Sequence, residues 1–231
     1  IRETNQPASA GQKVLIGEIV TYEIALRIPA GSVLENLGAV DQLSEGLAFV
    51  ECLDVYASDP GAISTDLPGG FDVVCPLDAD DPRISENGRR IELDFGNVIN
   101  ESEDDHWLFV SYAVVVLNID GNVNGVSLAN EVEWAWDGGT LKNKAELVDV
   151  IEPLIQITKS VNTPVAPLNS ILTFTLEVSH TPESTAPGFG LVLEDKLPFG
   201  LVYEGNVTVM GKPFDDFEYD PSTAALRFYW E

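Results

Sequence analysis

Residues 19–26 (Ile-Val-Thr-Tyr-Glu-Ile-Ala-Leu) alternate apolar and polar side chains at period two, the pattern of a half-buried strand. Val20, Tyr22, Ile24 and Leu26 fall on one face and predict the core side. The same alternation returns at residues 171–178 (Ile-Leu-Thr-Phe-Thr-Leu-Glu-Val), with Leu172, Phe174, Leu176 and Val178 in the core places. Between and after these stretches the pattern predicts further short strands at 13–16, 37–43, 46–50, 71–75, 89–95, 107–117, 126–136, 155–161, 191–193, 201–203, 207–210 and 226–230. Residues 141–150 read as a last edge strand, with a short helix as the alternative. Loops rich in Gly, Pro, Asp and Asn fill 57–70, 78–88, 118–125 and 181–190, and Asp137-Gly138-Gly139 is a hairpin signal. No stretch combines helical periodicity with caps. The expectation is an all-β chain of tandem sandwiches.

The two halves match in order at three places. The first is the strand pair above. The second sets Val40-Asp41-Gln42-Leu43 and Gly46-Leu47-Ala48-Phe49 against Glu194-Asp195-Lys196-Leu197 and Gly200-Leu201-Val202-Tyr203. The third sets Ile91-Glu92-Leu93-Asp94-Phe95 against Leu226-Arg227-Phe228-Tyr229-Trp230. Ordered self-similarity of this kind marks one structural unit used twice. Glu152-Pro153 is the natural boundary, giving a first domain at 1–152 with long loops and a second at 153–231. The first copy runs on past the third match through two strong strands, so the second is expected to lack its last strands. Three explanations fit such unpaired edges: the chain continues, the missing tail is disordered, or another chain donates the strands, with residues 1–6 as a candidate donor.

Charge narrows the partners. Thirty-eight acids against 12 bases give a net charge of −26, which repels phosphate and excludes nucleic acid and anionic membrane surfaces as natural partners. No apolar run is long enough to insert in a bilayer. The acids suit a solvated surface or divalent cations. Asp78, Asp80 and Asp81 crowd one loop. Asn118, Asp120 and Asn122 alternate side-chain oxygens around Gly121, the donor type calcium prefers, without the closing glutamate of an EF-hand. Cys52 and Cys75, the only cysteines, lie in β-like runs and are expected to pair in an oxidising compartment. Asn100-Glu101-Ser102 and Asn206-Val207-Thr208 have the glycosylation pattern. Trp134 and Trp136 share one strand face and offer a stacking platform for a surface glycan, against core packing as the alternative. His106 and His180 accompany no nucleophile motif, and the chain is not read as an enzyme.

Thr158-Lys159-Ser160-Val161-Asn162, the following alternating strand, the Asp-x-Leu-Pro-x-Gly-Leu run at 195–201 and Asn130 ahead of its own alternating strand carry a resemblance. Together they resemble the Ig-like repeat of large prokaryotic cell-surface proteins and the related fimbrial isopeptide-forming domain. The resemblance implies secretion, tandem repetition beside other copies or neighbouring repeats, and a structural role in a surface layer, stalk or extracellular filament. An adhesin or carbohydrate-binding module is the alternative. It further implies a lysine on a first strand attacking a late-strand asparagine beside a buried acid. Lys159 and Asp195 (or Glu194) hold the lysine and acid places in the second copy, whose asparagine would lie beyond residue 231. Asp41 and Asn130 hold the acid and amide places in the first. There Arg2 replaces the lysine and cannot deprotonate, unless Lys13 substitutes.

Overall fold

A computed structural model of the chain describes residues 3–6, 9, 11–75, 77–184 and 186–230. It is all-β. In chain order the first part holds β1 (Glu3–Thr4), β2 (Lys13–Leu15), β3 (Ile19–Ile28), β4 (Val33–Leu43), β5 (Leu47–Ala57), β6 (Ile63–Thr65), β7 (Ile84–Ser85), β8 (Arg90–Asn100), β9 (His106–Val116), β10 (Ser127–Leu128), β11 (Asn130–Trp136), β12 (Gly139–Lys144) and β13 (Val148–Ile151). One sheet runs β1-β3-β9-β5 and a second runs β12-β11-β4-β8-β6. A small third sheet, β10-β13-β2, contains the parallel pair β13 and β2.

The two large sheets share one core. Val20, Tyr22, Ile24 and Leu26 of β3 are all buried, as the alternation requires, and lie in a single cluster with Val110, Tyr112 and Val114 of β9, Leu37 and Ala39 of β4, Phe95 of β8 and Trp134 of β11. Burying such apolar side chains contributes about 1.5–3 kcal/mol each before the entropy of ordering is subtracted. A buried carboxylate anchors the N-terminal segment: Glu18 accepts hydrogen bonds from the Thr4 and Ser9 hydroxyls and the Leu15 amide. β1 is therefore paired within its own sheet, against β3, which removes Glu3–Thr4 from the role of donor strand.

The stretch at 71–75 is not a strand. Gly69 (φ 105°) and Gly70 (φ 69°) adopt left-handed backbone that suits glycine, and a 3₁₀ turn follows over Gly70–Val73. The expected strand at 126–136 divides into β10 and β11, and that at 141–150 divides between β12 and β13.

After residue 152 come β14 (Ile155–Val161), β15 (Phe174–His180), β16 (Leu191–Lys196), β17 (Thr208–Val209), β18 (Lys212–Pro213), β19 (Phe217–Asp220) and β20 (Ala225–Trp230). Residues 201–203 form no strand. β14 pairs β15, β17 pairs β18, and a sheet runs β16-β20-β19. By compactness the chain divides into Ile1–Ala186 and Pro187–Glu231. The β14–β15 hairpin belongs to the first unit, where Ala186 is buried with Leu15 and Ile151. On β15 the alternation is present without deep burial: Phe174 and Leu176 are half-buried and Val178 is 39% exposed.

The internal repeat is a repeat of register. Asp41 stands opposite Ile91 in the β4–β8 ladder, and Asp195 stands opposite Leu226 in the β16–β20 ladder. The Leu43 amide bonds to the Arg89 carbonyl at 2.8 Å; the matching Leu197 amide bonds to the Ala224 carbonyl at 2.9 Å. Asn5 bonds reciprocally to the Ile19 backbone, and Asn162 does the same to Thr173. These contacts match Ile19 with Thr173, two residues later than sequence alignment places it. The faces are unchanged because the shift is even. Val20 then precedes Phe174 by the same interval that separates Asp41 from Asp195.

Candidate functional site

Period-two alternation puts Asp41 on the inner face of β4, between Ala39 and Leu43, where it is fully buried. Asn130 opens β11, opposite Leu43, and is also buried. From the other sheet, Tyr22 and Tyr112 are register partners on β3 and β9, with ring centroids 6.1 Å apart. The Tyr112 hydroxyl donates to Asp41 Oδ2. Asn130 Nδ2 donates to the Tyr112 oxygen at 2.8 Å and more weakly to Asp41 Oδ2 at 3.4 Å. The chain of bonds crosses the sandwich and bolts β9 to β4 and β11.

The cluster is incompletely satisfied. Among the described residues Asp41 Oδ1, Asn130 Oδ1, Tyr22 Oη and Trp134 Nε1 are buried without hydrogen-bond partners. Burial pushes the Asp41 carboxyl up to about 7, against the opposing help of Tyr112, Asn130 and the Gln42 backbone. Burial, then the Asp41 charge, pushes the Tyr22 phenol up to about 12, and the same causes, in the same order, raise Tyr112 well above its ordinary value.

Sequence reasoning named Asp41 and Asn130, and the structure brings them together. It did not find the two tyrosines, although Tyr22 lay on the face assigned to the core. The arrangement supplies an acid that titrates near neutrality beside a carboxamide, but among the described residues no lysine hydrogen-bonds to either. Phenols raised this far are poor nucleophiles, so Tyr22 and Tyr112 do not replace the missing amine. Lys13 is exposed on β2 in register with Asp149, and Arg2 lies outside the described residues. Lys159 stands opposite Leu176 on β14, its Nζ 4.8 Å from the centroid of the Phe174 ring. Asp195 is half-buried opposite Leu226 on β16.

The other candidates separate clearly. Cys52 and Cys75 are bridged, with Cα atoms 5.6 Å apart. The turn at Gly69 and Gly70 and the bond from the Cys52 amide to the Leu77 carbonyl hold the second cysteine against β5. Trp134 is completely buried, 5.5 Å from Phe95 by ring centroids, and offers no stacking face; Trp136 is half-buried at the rim of the same core. The platform fails because β11 is sandwiched by β4 and β12 with that face turned into the core.

Asp81 is engaged by Arg83, which holds its carboxyl down at about 2. Asp78 accepts the Asp80 amide. Asn122 is buried, donating to the Gly46 and Leu117 carbonyls at 2.9 and 2.8 Å, so it braces a turn rather than facing a cation. Asn118 and Asp120 remain exposed. Among the described residues no three His, Cys, Asp or Glu side chains gather as a metal site. Asn100 is not a glycan acceptor: it is buried, and its amide donates to the Ile28, Pro29 and Asp104 carbonyls. No described helix is long and apolar enough to cross a membrane.

No family model and no curated protein sequence matches the chain. Several solved structures show partial overlap. The pilus backbone protein RrgB of Streptococcus pneumoniae is 20% identical over 54% of this chain, with a TM-score of 0.36. The major pilin SpaD of Corynebacterium diphtheriae is 16% identical over 63%, with a TM-score of 0.33. The C-terminal domain of the AgI/II polypeptide BspA of Streptococcus agalactiae is 15% identical over 94%, with a TM-score of 0.34. The chain spans 26% of the RrgB structure, 34% of SpaD and 78% of the BspA domain. At such low identity and overlap no property passes from those proteins to this one.

Proposed function

We propose that this chain is a structural segment of a secreted or cell-surface protein, built from tandem β-sandwich copies at 1–152 and 153–231. It serves as a repeat in a surface layer, stalk or extracellular filament. The observation that carries the reading is the repeated ladder register: the same acid-bearing strand meets the same partner strand twice in one chain. Serial β units of this kind give length and stiffness. The Cys52–Cys75 bridge supports an oxidising compartment, and the charge of −26 supports a hydrated outer surface. The Asp41 cluster, which ties the two sheets together, is a cross-brace in this role.

Antibody raised against the chain, applied as a gold conjugate to intact and permeabilised cells of the source organism, tests the reading. Labelling of intact cells, along filaments or an outer layer, is the expected result. Labelling only after permeabilisation would overturn it.

A further inference from the structure

The Cys52–Cys75 bridge is not sealed in the core. A cleft of about 270 Å³ opens onto both cysteines. The two differ in access. Cys52, on β5, is 7% exposed, while Cys75, just past the 3₁₀ turn, is half-buried. Cys52 Sγ lies 3.9 Å from the Ser111 carbonyl, which can accept the weak S–H donor that opening the bridge creates. Val74 and Leu77, on either side of Cys75, are buried in the main core, and the Cys52 amide bonds to the Leu77 carbonyl at 3.0 Å. The segment is therefore docked by more than its disulfide, so opening the bond does not by itself release it.

The walls set the chemistry of a visitor. Leu53, Val55 and Phe71 supply apolar surface, and the carboxylates of Asp54 and Asp72 supply charge. Both acids are exposed. Arg83 donates to the Val74 carbonyl at 3.3 Å, but Asp81 holds its guanidinium through two further bonds and it does not line the cleft. A short carbon chain bearing a cation fits such a cleft, and an anion is repelled from it.

We propose that Cys75 is a thiol-exchange site for small aminothiols. The thiolate of the aminothiol attacks Cys75 Sγ. A new S–S bond forms there as the Cys75–Cys52 bond breaks, and the electron pair leaves on Cys52 Sγ. Cys52 takes up one proton from water, matching the one the aminothiol lost on ionising, so nothing beyond the thiol is consumed. Attack falls on Cys75 because it is the more accessible sulfur, and Cys52 is left with Ser111 as its acceptor. The product carries an ammonium group beside Asp54 and Asp72. This chemistry rests on the cleft alone and not on the surface role proposed above.

The probes are cysteamine and mercaptoacetate, short thiols whose free ends differ by two unit charges. Each is applied in excess to the full chain at about 0.15 M salt, where the screening length is about 8 Å. Exchange is stopped with acid at intervals and read by intact mass and peptide mapping. Each rate is divided by the same thiol's rate on a small uncharged disulfide, which removes intrinsic reactivity. Opening should be first-order in thiol, with the first adduct on Cys75 and a normalised preference for cysteamine of about 5- to 10-fold. Asp54→Asn together with Asp72→Asn should bring that preference below about twofold. Salt at about 1 M, where the screening length is about 3 Å, should do the same to the unaltered chain, and serves if the double variant does not fold.

A rate independent of thiol concentration would overturn the proposal, because opening would then wait on unfolding. So would a first adduct on Cys52, equal normalised rates, or a preference that survives the double variant or the high salt.

Discussion

Replacing Asp41 with asparagine keeps the shape of the side chain and removes its charge. The folded carboxyl titrates at about 7 because it is buried, while in the unfolded chain it returns to about 3.9. A raised carboxyl means that the folded state holds the proton over a pH range where the unfolded state has lost it. Stability from this group is then at its highest below about pH 4, falls as pH rises to about 7, and is flat beyond. The full difference corresponds to roughly 4 kcal/mol, at 1.36 kcal/mol per unit. In the wild-type protein the general repulsion among 38 acids also relaxes at low pH and adds to this dependence.

D41N separates the two effects, since the general term is common to both proteins. At pH 8 the variant should be more stable by about 2–4 kcal/mol, having no charge to bury. At pH 4 the two should agree to within about 1 kcal/mol, because both are neutral at this site. Urea unfolding followed by the fluorescence of the buried Trp134 at pH 4, 6 and 8 measures the difference. A stability difference between the two proteins that does not change with pH would refute the reasoning.

Tyr112→Phe removes the hydroxyl that joins Asp41 to Asn130, and should cost about 1–3 kcal/mol by the same urea assay, with the larger loss at pH 8, where Asp41 is charged. Breaking the Cys52–Cys75 bridge, by reductant or as the double serine variant, should cost about 3 kcal/mol from the loop it closes; unfolding in the presence and absence of reductant reads this directly. Trp134→Ala should cost about 3–5 kcal/mol and leave glycan-array binding unchanged, while Trp136→Ala, half-exposed, should cost markedly less in thermal melts. Gly46→Ala should lower the Tm, because the new Cβ would clash with Asn122 Oδ1 and push out the amide that braces the turn; Asn122→Ala in the same background should recover part of the loss.

Much of the fold was legible because a half-buried strand writes its face into the sequence at period two. Val20 to Ile28 needed nothing more. The alignment of the two copies failed by two residues at the first strand because side-chain alternation is blind to an even shift. Only Asn5 and Asn162, each clasping a strand start, fix that register. The run at 71–75 misled because its apolar content resembles a strand, while Gly69 and Gly70 set the backbone.

At the site, Asp41 and Asn130 were visible as polar residues on apolar-facing positions. Tyr22 and Tyr112 were not, because a tyrosine on a core face looks like any other aromatic until the opposite sheet is in place. The tryptophans misled for a related reason. A shared strand face is a statement about direction, and whether that direction is solvent or core depends on the second sheet.

The account turns on a first copy that is closed and a second that carries the same register with an open edge. Amide hydrogen exchange followed peptide by peptide tests this most directly. The account predicts slow exchange over Ile19–Ile28, Val33–Leu43 and His106–Val116. It predicts fast exchange at the amides of Val192, Glu194 and Lys196, which face the edge of β16 that no described strand pairs. Protection of those three amides equal to that of β4 in the isolated chain would contradict it.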